Sequence, residues 1–148
     1  MAVLRTIHTG LTVHDLEQML AFFSQCLNAQ AGEIRQIPVG DTLGHITGVE
    51  GAQARVAMVT LAGGHVVELL EYSAPESATS MAPRPCDIGG AHLALEVESV
   101  SETTQAFERF GFAVAGQILT LPGGPFAGRC VTYVRDQHGF TLELIGGR

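Results

Sequence analysis

His8-Thr-Gly-Leu11-Thr-Val13 and His92-Leu-Ala-Leu95-Glu-Val97 are two copies of one pattern, H-x-x-L-x-V, and they decide how the chain reads. Each copy alternates in the way a half-buried strand does, which puts its histidine on one defined face. The segment after each copy is shared too. Asp15 to Leu27 carries Leu16, Met19, Leu20, Phe23 and Leu27 close to a helical period, with Asp15 placed to cap the N-terminus. Ser101 to Phe110 is a shorter helix pattern with Ala106, Phe107 and Phe110 on one side and Gly111 as its stop.

Strand-like runs come next in both halves. The first half has Arg55 to Leu61, a Gly63-Gly64 turn and Val66 to Leu70; the second has Arg129 to Val134, a turn at Asp136 to Gly139 and Thr141 to Ile145. Both final strands carry the pattern V/L-E-L-L/I after a Gly-containing turn. Each half therefore reads as strand, helix and about three strands. The stretch Ser73 to Gly90 holds three prolines among Ser, Ala and Thr and reads as a linker. The expectation is one α+β domain over 1–148, with module one at 1–72, the linker at 73–90 and module two at 91–148.

Bulk properties narrow the function. With 46% hydrophobic and 16% charged residues in 148, the chain can bury a substantial core. A net charge of −7 with no basic cluster argues against nucleic acid and anionic membrane surfaces as partners. No stretch resembles a secretory signal or a spanning helix. Cys26, Cys86 and Cys130 are widely spaced and odd in number, so they read as free thiols, and a cytoplasmic location is expected.

The chemistry lies in what the halves share besides their apolar frame. Each has a histidine in its first strand, His8 or His92, and a glutamate in its last, Glu68 or Glu143. A buried carboxylate between Val67 and Leu69, or between Leu142 and Leu144, is costly unless paired or bound to a cation. Two imidazoles and two carboxylates at equivalent places would converge if the modules pack with approximate two-fold symmetry. That donor set suits Zn, Ni, Co, Mn or Fe(II). For any one of the four, an ordinary half-exposed strand residue is at least as good a reading; for all four at matched positions, coincidence is the weaker explanation.

Together, His8-Thr-Gly-Leu-Thr-Val with Asp15-Leu-Glu, Val67-Glu68-Leu, Gly90-Ala-His92-Leu-Ala-Leu and Asp136-x-x-Gly139-x-x-Leu-Glu143-Leu resemble the vicinal-oxygen-chelate superfamily. That group holds glyoxalase I, methylmalonyl-CoA epimerase, extradiol dioxygenases, and the bleomycin- and fosfomycin-resistance proteins. The resemblance implies paired βαβββ modules forming a cup-shaped mixed sheet around one divalent metal ion, with His8, Glu68, His92 and Glu143 as ligands. It implies an isomerase or lyase in which Glu143, with Glu68 as its counterpart, moves a proton next to a metal-chelated carbonyl of a small oxygenated substrate. The ligand set looks most like bacterial glyoxalase I; the epimerases resemble it with Gln in place of the first Glu. Thr12 and Tyr72 replace the arginine and asparagine that hold glutathione in glyoxalase I, which argues against that thiol. A homodimer is expected as well, since module pairing across chains buries open sheet edges.

Two alternatives stand beside this. An Fe(II) extradiol dioxygenase would use His8, His92 and Glu143, and Glu68 counts against it as it does against a fosfomycin-type thiol transferase. A metal-free antibiotic-binding protein needs aromatic stacking surfaces, and this chain has no Trp and two Tyr. Among other residues, His14, His65 and His138 read as exposed cap or turn residues, Arg55 and Arg129 as solvated, and Cys130 as packed. His45 reads as no ligand. Leu121 to Gly128, with Phe126, is either a lid or a plain connector.

Overall fold

The computed structural model describes residues 2–37, 42–76 and 79–147. The chain forms two compact units, Met1–Thr79 and Ser80–Arg148. Unit one runs β1 (Thr9–Thr12), α1 (Leu16–Cys26), β2 (Gln30–Ala31), β3 (Arg35–Gln36), α2 (Thr42–Thr47), β4 (Gln53–Thr60) and β5 (Val66–Ala74). Unit two repeats that order without a counterpart of α2: β6 (His92–Ser99), α3 (Val100–Glu108), β7 (Ala113–Val114), β8 (Leu119–Thr120), β9 (Cys130–Arg135) and β10 (Thr141–Gly147).

Each unit is a five-stranded mixed sheet with the same path. In unit one the order is β1-β5-β4-β2, with β3 also on β4; in unit two it is β6-β10-β9-β7, with β8 also on β9. The first strand joins the last in parallel while the other pairings are antiparallel. A parallel partner needs a crossover, and the helix after the first strand supplies it. The second strand of each βαβββ unit is broken into two short pieces, β2 with β3 and β7 with β8. At two residues each, these pieces are too short to show a period-two alternation in the sequence.

α1 starts at the expected cap, whereas α3 is capped by Ser99, two residues before the expected start. Asp15 accepts a hydrogen bond from the Gln18 amide at 2.8 Å, and Ser99 accepts one from Glu102 at 3.3 Å. The second helix thus begins at Val100 and ends at Glu108, earlier at both ends than the Ser101–Phe110 pattern suggests. Each helix lays its apolar side on one sheet face: Leu16, Phe22 and Phe23 from α1, and Val100 and Phe107 from α3. Opposite them lie Val59, Val67 and Leu69 in unit one, and Val134, Leu142 and Leu144 in unit two, each at most 2% exposed. Truncating a core residue such as Phe107 to Ala costs about 3–5 kcal/mol. The short α2 is unannounced by the sequence; Leu43 holds it to Ala52 and Ala54, with Ile37 and Tyr72 packed alongside.

The stretch between the modules is more structured than a linker. β5 continues to Ala74, and the residues after Ser80 fold onto unit two; Ser77 and Ala78 of the expected linker lie outside the described residues. Ser80 Oγ donates to the His138 carbonyl at 3.2 Å, and Arg135 donates to the carbonyls of Ala82 and Pro83 while its Nε reaches Thr141 Oγ1 at 3.1 Å. Arg84 and Asp87 close a turn at 2.7 Å. Backbone carbonyls left over by two prolines thus find a guanidinium donor, and the strap is held.

Two glycines permit close approaches. Gly139 has φ 90°, and a Cβ there would lie 2.6 Å from Ala82 Cα; a Cβ at Gly146, where β10 bulges against β6, would lie 2.0 Å from the Val97 carbonyl oxygen. Gly146→Ala is therefore expected to lower unfolding free energy by at least about 1–3 kcal/mol. Gly116→Ala, which meets nothing within 4 Å, should leave the urea midpoint almost unmoved. Equal midpoints for the two variants would show that β6 and β10 do not approach so closely.

Candidate metal centre

Strand alternation sorts each sheet into two faces. In unit one, Val67, Leu69 and Glu71 of β5 face α1, so Glu68 and Leu70 face the other way. The ladder sets Gly10 and Met58 on either side of Glu68. His8, two residues before Gly10, is therefore on the Glu68 face, and its Nε2 lies 3.3 Å from Glu68 Oε2. Pairing of β1 begins at Thr9, so His8 stands just before the strand rather than within it.

Unit two has the same arrangement. Leu142 and Leu144 face α3, Glu143 faces away, and Ala94 and Tyr133 flank it in the ladder. His92, two residues before Ala94, brings its Nε2 to 3.3 Å from Glu143 Oε2. The glutamate side chains are 23% and 22% exposed and the histidines 33% and 42%. These carboxylates are half-buried rather than buried, since helices cover only the opposite face. Each is the histidine's one polar side-chain partner among the described residues.

The structure thus brings together His8 with Glu68 and His92 with Glu143. Among the described residues, no group of three or more His, Cys, Asp or Glu side chains is placed to hold a metal ion. Each unit is a two-donor half-site, one imidazole nitrogen and one carboxylate oxygen within reach of a common point. That chemistry fits half the first shell of a divalent first-row ion.

Other candidates find different work. Arg55 is not simply solvated: it pairs with Glu17 at 2.6 Å and Glu71 at 2.8 Å, and Glu71 Oε2 also accepts the Leu16 amide at 2.7 Å. The hydrogen bond from Arg55 holds the Glu17 carboxyl below its usual range. Glu71 is thereby tied to the start of α1 on the helix face, away from Glu68. Arg129 pairs with Glu96 at 2.7 Å. His65 is exposed beside Thr9 Oγ1 at 3.2 Å, and His14 and His45 are exposed. His138 is half-buried rather than solvated, because Asp136 Oδ1 accepts its amide at 2.9 Å and curls the turn inward. Cys130 is buried, with Thr120 Oγ1 at 3.5 Å. Thr12 is exposed, and Tyr72 packs against the Leu43 cluster.

Sequence reasoning missed Tyr133. It stands opposite Glu143 in the ladder, and its ring lies 5.0 Å from that of His92. Only the β9–β10 register reveals this, because the sequence of β9 looks like any buried strand. Burial, and secondarily the charge of Glu143, pushes the Tyr133 hydroxyl above the usual tyrosine range. A Tyr72→Phe chain, which keeps Tyr133 as its only phenol, should titrate by ultraviolet absorbance above the ordinary value of about 10. Adding Glu143→Gln should bring it only part of the way back, since burial remains. The folded chain keeps a proton that the unfolded chain releases, so stability declines as pH rises from the ordinary value toward the folded one. A phenol titrating at the ordinary value would contradict this placement.

A family model for the Glyoxalase/Bleomycin resistance protein/Dioxygenase superfamily matches residues 5–144. A 2-epi-5-epi-valiolone epimerase from Actinomyces sp. is 36% identical over 141 residues, covering 93% of this chain and 76% of the relative. A glyoxalase family protein from Bacillus cereus superposes with TM-score 0.80 at 19% identity, over 98% of this chain and 95% of the other. The fosfomycin resistance protein FosX from Listeria monocytogenes, complexed with Mn(II) and sulfate, does so at 0.58 and 17% identity, over 99% and 95%. With the duplicated βαβββ unit and a family match over nearly its whole length, the chain belongs to the glyoxalase/bleomycin resistance protein/dioxygenase, or vicinal-oxygen-chelate, superfamily.

Proposed function

We propose that the chain is a divalent-metal-dependent epimerase or isomerase that removes and returns a proton beside the carbonyl of a small α-hydroxy ketone. The observation that carries this reading is the repetition of one His–Glu pair, with the same 3.3 Å separation and the same ladder register, in both units. His8, Glu68, His92 and Glu143 would hold the ion, which is Ni, Co, Zn, Mn or Fe(II) by donor type. A bound divalent ion would supply Lewis acidity toward two adjacent substrate oxygens, acidifying the proton on the hydroxyl-bearing carbon next to the carbonyl.

The protein's own groups do the rest. The Glu143 carboxylate takes the proton from the carbon next to the carbonyl, and Glu68 holds the equivalent place in the other pair. Two carboxylates in related but separate settings allow removal on one face and return on the other, which is what epimerisation requires. The epimerase relative at 36% identity supports this choice over a glyoxalase-type lyase step. The equivalence of Glu68 with Glu143 disfavours an Fe(II) dioxygenase, which leaves positions open for oxygen. Because each unit offers two donors, a four-donor centre takes one pair from each of two modules. The reading includes a cytoplasmic homodimer, with β1 and β6 at the ends of their sheets as the edges to be covered.

The test is metal content by mass spectrometry on tag-free protein, followed by deuterium exchange. About one ion per four donors is expected, with His8→Ala and His92→Ala each weakening it roughly 10–100-fold or more. In heavy water the loaded protein should exchange the carbinol proton of 2-hydroxycyclohexanone. Glu143→Gln should slow that about 10²–10⁴-fold at equal metal occupancy. Failure to take up Ni, Co, Zn or Mn would sink the catalytic reading and leave a ligand-binding protein as the better account.

A further inference from the structure

The basic residues of this chain are 8 arginines and no lysine, set against a net charge of −7, so an arginine without a counter-charge stands out. Arg55, Arg84 and Arg129 pair with carboxylates. Arg135 bonds the strap after Ser80, and Arg109 stacks on the Phe110 ring at 5.1 Å. Arg148 lies outside the described residues. Among the described residues, Arg5 in the coil before β1 and Arg35 on β3 have no such partner, so Arg35 is the one strand arginine left unengaged.

Register puts Arg35 on the half-site's face of the first sheet. It stands across from Val56, which alternates with Met58, the β4 neighbour of Glu68. Ile37, two residues on, packs with Ala54, Tyr72 and Leu43 of α2 on that same face. The face therefore carries three rows. His8, Glu68 and Met58 form the first; Thr12, Leu70, Val56 and Arg35 the second; Tyr72, Ala54 and Ile37, under α2, the third. The middle row is a half-buried apolar floor of Leu70 and Val56 that ends on an exposed guanidinium. Strand spacing and rise place the Arg35 Cα roughly 12 Å from that of Glu68. The long arginine side chain and a ligand of about four or five carbons together span that gap.

Unit two fills the same row differently. Glu96, Ile145, Val131 and Leu119 take the places of Thr12, Leu70, Val56 and Arg35, and the cation there, Arg129, is already held by Glu96 at 2.7 Å. An anion brought to that row meets a carboxylate. One brought to the row in unit one meets a guanidinium with no carboxylate to displace among the described residues. The planar fork of guanidinium N–H donors matches paired oxygens of a carboxylate or phosphate.

We propose that Arg35 binds an oxyanion of the substrate: the chelated α-hydroxy ketone carries a phosphate or carboxylate at its far end, and that end lies over Leu70 and Val56 toward Arg35. This rests on the α-hydroxy-ketone reading and adds to it a negative charge that the metal donors do not themselves require. Arg35 is then a specificity residue, separate from the four donors.

The experiment is calorimetric titration of zinc-loaded protein with erythrulose, erythrulose 4-phosphate and 5-hydroxy-4-oxopentanoate, acyclic probes that share the hydroxy-ketone oxygens and differ in the oxyanion. At least one anionic probe should bind roughly ten- to hundredfold tighter than erythrulose, as a charge-assisted pair provides, and the tighter of the two identifies the oxyanion. Its binding should shift the Val56 and Leu70 methyl resonances. Arg35→Gln should erase the advantage while leaving erythrulose affinity and the melting temperature as they were, because Arg35 is exposed and unpaired among the described residues. Arg35→Lys should restore only part of it, since an ammonium lacks the fork. An anionic preference that survives Arg35→Gln comes from the metal alone and would overturn the inference, as would anionic probes that bind no tighter than erythrulose; both results leave the chelation reading intact. Binding of none of the three would overturn both.

Discussion

Everything at the candidate centre depends on a parallel ladder. In each unit the first strand pairs with the last in a register that sets a small residue, Gly10 or Ala94, directly beside the glutamate. The histidine two residues earlier then falls on the same face, close enough for 3.3 Å between imidazole and carboxylate. A slip of one residue in either ladder would turn the histidine toward the helix and bury it among Leu and Phe side chains. Desolvation of an unpaired imidazole and loss of core packing would both oppose that slip, so core and centre enforce the same register.

That register also divides the labour between the two faces. Helices cover one side with aromatic and aliphatic side chains, which leaves the other side free to carry polar groups at modest cost. This is why Glu68 and Glu143 keep about a fifth of their surface exposed while Leu69 and Leu142, their strand neighbours, keep none. The second carboxylate of β5, Glu71, shows the contrast. It faces the helix side, and there it is consumed by Arg55 and the amide of Leu16. Alternation alone separates a candidate metal donor from a fastener for structure, three residues apart in one strand.

Duplication supplies the symmetry, and divergence between the copies supplies direction. The donors are repeated, whereas Met58 and Tyr133, the small helix α2, and the strap after Ser80 are not. The preserved half of each module is the ladder that aims His and Glu; the changed half is the short-strand edge, where β2 with β3 and β7 with β8 leave room for loops of different length.

The repeat, the strand–helix order, the Asp15 cap and the four candidate donors were all legible from the sequence, because each rests on local periodicity or on comparing one half with the other. From sequence, Glu68 and Glu143 read as buried between apolar neighbours; the ladders place them on the face opposite the helices, about a fifth exposed. Tertiary structure alone decided the rest. The broken second strands, two residues each, carry no periodic signal, and α2 is held by contacts with Ala52 and Ala54 rather than by its own sequence. The fate of Arg55 and the strap pinned by Arg135 depend on partners 16 to 53 residues away. Tyr133 comes to stand beside the candidate His92–Glu143 pair only through its register opposite Glu143. Local sequence determines which face a side chain takes, but pairing between distant strands determines what it meets there, and that is a property of the folded chain.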